Sequence, residues 1–168
     1  MRCVRRPRAG PSAAGVPAEE LLRDPRAADL VAALGPARGL RTHRTVDYLA
    51  WRYGYAPLGY RGLAAGADPA EGLAVFRVRR RGRAAEAALC EVLVPDGEVR
   101  TARHLSRAVA RATRADYVVR LGRASPSWGF LPLPNQGPIL TWRALATAAA
   151  QPPPVDGWEL SLGDVELL

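Results

Sequence analysis

Residues 84–121 read AAEAALCEVLVPDGEVRTARHLSRAVARATRADYVVRL, and the pattern changes twice within them. Ala84–Val94 reads as a long strand with its apolar end at Leu89, Val92, Leu93 and Val94. Pro95-Asp96-Gly97 ends it. In Thr101–Thr113, the residues Ala102, Leu105, Val109 and Ala112 recur at helical spacing, which predicts a helix with a core-facing stripe. Arg103, Arg107, Arg111 and Arg114 form a second stripe on another face. Asp116–Leu121 is a short β-branched strand around Tyr117-Val118-Val119. Strand, helix and strand in that order predict a right-handed crossover joining two parallel strands.

Upstream, Leu73–Arg79 alternates, with Leu73, Val75 and Arg77 on one face. Arg80-Arg81-Gly82-Arg83 then reads as the turn of an antiparallel hairpin. Pro17–Leu34 is helical, interrupted at Pro25 and ended by Gly35-Pro36. Thr45 caps a second helix, Val46–Tyr53, which Gly54 and Pro57 stop. Leu58–Ala64 reads as a short strand. Downstream, Trp128–Leu133, Gly137–Trp142 and Trp158–Leu162 read as further strands, and Pro152-Pro153-Pro154 as a stiff spacer. The expected fold is α+β, a mixed, mostly antiparallel sheet with a central strand–helix–strand crossover. Residues 1–40 are expected to be a basic, Pro/Ala-rich arm with one short helical segment, and residues 41–168 the domain proper.

The 168 residues are 48% hydrophobic and 24% charged, ordinary for a globular chain and against a collagen or a coiled coil. Two cysteines, Cys3 and Cys90, make neither a disulfide framework nor a four-ligand zinc site. All 24 basic residues are arginine. A GC-rich coding bias produces this without functional pressure. The absence of lysine excludes Schiff-base and P-loop lysine chemistry. The net charge of +8 is concentrated in residues 1–44 and 101–123, while residues 124–168 are acidic. Such a field favours anionic partners. No run approaches the ~20 apolar residues of a membrane span, and no apolar stretch follows Arg5-Arg6 as in a signal peptide, so no membrane association and a cytoplasmic location are expected.

The element order, with Tyr48-Leu49-Ala50-Trp51-Arg52-Tyr53, Pro57 and Tyr60, then Gly129–Pro134, Gly137–Leu140 and Trp158–Glu166, resembles the GNAT acyltransferase superfamily from about Arg41 onward. In proteins of this kind the stretch commonly follows another GNAT domain. The resemblance implies a GNAT-like sheet and an N-acetyltransferase that moves an acetyl group directly from acetyl-CoA to a small-molecule or peptide amine. A second GNAT domain or a second copy of the chain is the implied protein partner. Acetyl-CoA is then expected at Leu93, Val94, Gly97, Arg100, Thr101 and Arg103, through backbone amides and the N-terminal end of the helix. Glu91 is the expected general base on the fourth strand, on the opposite face from Glu86 because five residues separate them. Trp51, Arg52, Tyr53 and Tyr60 are the expected acceptor wall. Core packing of these aromatics, and pairing of Arg52 with Asp47 or Glu71, are the alternatives.

Two departures from the family pattern stand out. The turn Val94–Ala102 holds one glycine, Gly97, and carries Asp96 and Glu98, which repel a pyrophosphate. The segment Gly122–Trp128 has no tyrosine to protonate a leaving thiolate. A second reading is therefore a GNAT-like domain that has lost catalysis and serves as a binding or dimerisation half. A third, a basic nucleic-acid-binding module, rests on charge alone, so nucleic acid is not an expected partner. No metal ligand set is expected. Asp164 and Glu166 stand as acceptor ligands or strand-edge charges, and Cys90 as a buried thiol.

Overall fold

A computed structural model describes residues 2–3, 14–122, 129–133, 139, 141, 151 and 154–165. Among these, β1 (Arg2–Cys3), β2 (Val16–Pro17), β3 (Arg61–Ala64), β4 (Leu73–Arg81), β5 (Ala84–Leu93) and β6 (Tyr117–Val119) form one sheet, ordered β1-β6-β5-β4-β3-β2. The helices are α1 (Ala18–Leu22), α2 (Arg26–Ala32), α3 (Val46–Tyr53), α4 (Val99–Thr113) and α5 (Leu162–Val165). The architecture is α+β. Only the β5–β6 pair is parallel among the strand pairs; the others are antiparallel. Helix α4 joins β5 to β6, in the strand–helix–strand order and with the parallel pairing that the sequence predicts.

The β4–β5 hairpin turns through Gly82-Arg83. Gly82 has φ +60°, a conformation that costs glycine nothing. The ladder is interrupted once. Val75 faces Glu91 and Phe76 faces Leu89, so Cys90 is the extra residue of a bulge. This corrects the expected strand phase. The extra residue cancels the odd separation, and Glu86 and Glu91 fall on the same face.

The sheet buries both faces. On one, Leu105 and Val109 of α4 pack with Ala74, Phe76, Ala87, Leu89 and Val118. On the other, Leu22, Leu30, Leu49 and Tyr53 of α1–α3 pack with Leu73, Val75, Cys90 and Leu93. The helices within residues 1–40 therefore supply part of this core, and the backbone at Arg2–Cys3 and Val16–Pro17 joins the sheet. The break between α1 and α2 lies at Pro25, as its missing N–H requires. Thr45 Oγ1 accepts the Tyr48 amide at 3.1 Å and caps α3. Along α4 the stripe shifts at its end: Thr113 is buried and Ala112 exposed.

The late strands differ from expectation. Gly129–Leu133 is not a strand. Most of the strand expected over 137–142, and Pro152-Pro153, lie outside the described residues. Trp158 makes a single parallel bridge with Leu40, and Leu162 begins α5 instead of ending a strand. Asp164 drives this turn: its carboxylate accepts the Ser161 amide at 2.8 Å, while its own amide reaches the Ser161 carbonyl. No helix among the described residues is long and apolar enough to cross a membrane.

Leu105 is fully buried between α4 and the sheet. Leu105→Ala is expected to cost about 3 kcal/mol, read as a lowered urea midpoint at unchanged slope.

Candidate functional site

Four of the expected site residues meet at one place, where α3 lies over the end of β5. Glu91 faces α3 because of the bulge, and Tyr53, on the last turn of α3, donates its hydroxyl to Glu91 Oε1 at 3.0 Å. Tyr60 packs edge-on against Tyr53, ring centroids 5.0 Å apart. Arg52 donates to the Tyr60 hydroxyl and to the Gly163 carbonyl, each at 2.9 Å, and its guanidinium lies over both rings. Those partners replace the pairing expected with Asp47 or Glu71. Trp51 does not join them. Its side chain is 74% exposed and leans toward Tyr48.

Sequence reasoning missed the group that organises the place. Arg44, in the loop before α3, grips Asp164 with both ends of its fork: Nη1 to Oδ1 at 2.9 Å and Nη2 to Oδ2 at 2.8 Å. The same Nη2 lies 2.9 Å from Glu91 Oε1 and from Ser161 Oγ. Ser161 in turn donates to Glu91 Oε1 at 2.8 Å. The side chains of Arg44, Glu91 and Asp164 are each 5–6% exposed. All three donors to Glu91 converge on Oε1, and no described residue donates to Oε2.

One cation between two buried carboxylates sets the electrostatics. Burial opposes the Arg44 charge, but the Asp164 hydrogen bond and the charges of Glu91 and Asp164 outweigh it and hold the guanidinium above its usual pKa. Burial likewise opposes Asp164, yet the Arg44 bond and the Ser161 amide keep its carboxyl below the usual range. For Glu91, burial wins over Arg44, Ser161 and Tyr53, and its carboxyl is pushed up. Burial and the Glu91 charge push the Tyr53 phenol up as well. Gly163 is required sterically. A Cβ there would fall on the Tyr53 hydroxyl and 2.8 Å from Glu91 Oε1.

The expected cofactor residues form a second place, at the start of α4. The parallel ladder ends at Ala88↔Val119, and from there to Leu93 β5 keeps only its β4 partner among the described residues. The turn that follows is tied to the end of α2 by the Asp96 amide, which donates to the Ala33 carbonyl at 3.0 Å. Gly97 has φ +80° and open space around it. The first-turn amides of α4, including those of Arg100 and Thr101, have no intrahelical acceptor by construction. Thr101 Oγ1 donates to Glu98 at 3.2 Å, and Arg100 is exposed. Arg103 is half-buried and its Nε has no hydrogen-bond partner among the described residues. Leu93 is buried in the α1–α3 core, and Val94 packs toward α4, so their side chains serve the interior. The segment 123–128, where a leaving-group tyrosine is lacking, lies outside the described residues. Of the other charges, Asp164 proves to be the Arg44 ligand, while Glu166 lies outside the described residues.

No protein-family model, curated protein or solved structure matches this chain.

The two carboxylates respond oppositely to pH. Asp164 has a depressed pKa, so its contribution is present at neutral pH and is lost as pH falls through that value, below 3.8. Glu91 has a raised pKa, so its contribution is present in acid and is lost as pH rises through a value above 4.5. Asp164→Asn is expected to cost about 2 kcal/mol at pH 7 and progressively less as the solution is acidified below the normal aspartate range. Glu91→Gln, which keeps the accepting oxygen, is expected to cost less than Asp164→Asn at pH 7. Urea titrations of both variants from pH 3 to 8 check the order and the trend.

Proposed function

We propose that the chain is a GNAT-like N-acetyltransferase domain that binds acetyl-CoA along the edge of β5 that β6 leaves past Ala88. The observation that carries the reading is the early end of the β5–β6 ladder. β5 extends five residues past Ala88 and delivers its backbone to a turn and then to the N-terminus of a 15-residue helix. An extended acyl-pantetheine arm can pair with such an edge as a strand would. The pyrophosphate then meets the first-turn amides of α4, with Arg100 and Arg103 offsetting Asp96 and Glu98. In this reading Glu91 takes a proton from the acceptor amine through Oε2, the oxygen that the cluster leaves open. The amine nitrogen bonds the acyl carbon as the carbon–sulfur bond breaks, and CoA leaves as the thiolate and takes its proton from water. Arg52, Tyr53 and Tyr60 position Glu91 and line the acceptor side.

A second reading keeps binding and removes transfer. It is favoured by the ion pair of Glu91 with Arg44, which ties the proposed base into a structural cluster. In that case the domain is a non-catalytic half that works with a second GNAT domain or a second copy.

Calorimetry with acetyl-CoA and CoA at low and moderate salt tests the shared claim, and micromolar binding that survives moderate salt is expected. Absence of binding at millimolar ligand, from a folded sample, contradicts both readings. Thiol release with a panel of amines then separates them. Transfer that Glu91→Gln slows about 100-fold supports catalysis, and binding without transfer supports the non-catalytic half.

A further inference from the structure

A cavity of about 370 Å³, lined in part by Arg44, lies beside the Arg44 cluster. Its walls differ in chemistry. Val31, Leu34 and Pro36, from the end of α2 and the loop after it, make an aliphatic side. Arg41, His43 and Arg44, from the chain entering α3, make a polar side that carries two guanidinium groups. No carboxylate lines it among the described residues.

The two guanidinium groups are not equivalent. Arg44 is spent on Asp164, Glu91, Ser161 and the Thr42 carbonyl. Arg41 is not. Its side chain is only 25% exposed, yet it makes one hydrogen bond, from Nη2 to the Gly35 carbonyl at 3.2 Å. Its nearest carboxylate, Glu159, stands 3.7 Å away, beyond hydrogen-bond reach, and is itself held by the Arg38 amide at 3.0 Å. A guanidinium carries five N–H donors, so most of those on Arg41 have no acceptor among the described residues. His43 is exposed at the same rim. A largely buried cation with unspent donors, opposite an aliphatic wall, fits a ligand with an anionic head and an apolar body.

We propose that this cavity binds a small aliphatic carboxylate, its head on Arg41 and His43 and its body against Val31, Leu34 and Pro36. The volume equals that of about a dozen liquid waters, which limits the occupant to roughly ten non-hydrogen atoms. A planar carboxylate matches the guanidinium fork, whereas a free phosphate leaves the aliphatic wall uncovered. The site does not depend on acyl transfer.

The test titrates the full chain, without acetyl-CoA, with 4-methylpentanoate, 4-methylpentan-1-ol and inorganic phosphate, by calorimetry and by amide shifts over residues 31–44. The carboxylate is expected to bind at least about tenfold more tightly than the alcohol or phosphate, with shifts confined to that segment. Arg41→Gln is expected to remove about tenfold of the affinity. Where that variant alters the fold, Ala37→Glu serves instead, since Ala37 is exposed at the cavity and a carboxylate there repels the ligand. Equal binding of the alcohol, equal binding of phosphate, no saturable binding at millimolar carboxylate, or full affinity in both variants each overturns the proposal.

Discussion

Arg44 between Asp164 and Glu91 is the contact on which the rest of the site depends. Each carboxylate would be costly to bury alone, and the arginine is buried with them. The geometry offsets that cost through a two-pronged grip on Asp164 and three donors on one oxygen of Glu91. Its consequence is positional. Residues far apart in the chain, the loop before α3, the strand β5 and the turn α5, are held at one point. Arg52 adds a second tie to the same turn through the Gly163 carbonyl. Removing the arginine leaves two uncompensated buried carboxylates, a loss of about 3–5 kcal/mol by analogy with other buried pairs.

The bulge at Cys90 makes that cluster reachable. A regular β5 would aim Glu91 at the α4 side, into the cluster of Phe76, Leu89 and Leu105 and away from Arg44. One extra residue turns it toward Arg44 and Tyr53. Past this point the strand runs without a parallel partner toward α4. The same irregularity thus orients the buried carboxylate and precedes the open edge that the acyl-CoA reading uses.

Much of the fold is legible in local patterns. The α4 stripe, the Thr45 cap, the break at Pro25 and the Gly82 turn depend on neighbours within a few positions, and periodicity reads neighbours well. The bulge does not. Ala87-Ala88-Leu89-Cys90 is apolar on both phases, so nothing in it marks a change of face. Of the expected wall, Arg52, Tyr53 and Tyr60 reach the candidate site and Trp51 does not. Arg44 carried no signal, because it is one arginine among 24 and its partners lie 47 and 120 positions away. The end of the chain misled for a related reason. Trp158-Glu159-Leu160-Ser161-Leu162 alternates like a strand, but Gly163 and Asp164 are fixed by long-range contacts that bend it into α5.

Hydrogen exchange of Arg44→Met beside the unchanged chain tests the central claim most directly. The account expects amides of residues 161–165 and the Tyr53 end of α3 to lose protection at neutral pH, while Leu105 and Val109 of α4 keep theirs. Unchanged protection over 161–165 would contradict it, because α5 would then be held by something other than the buried arginine.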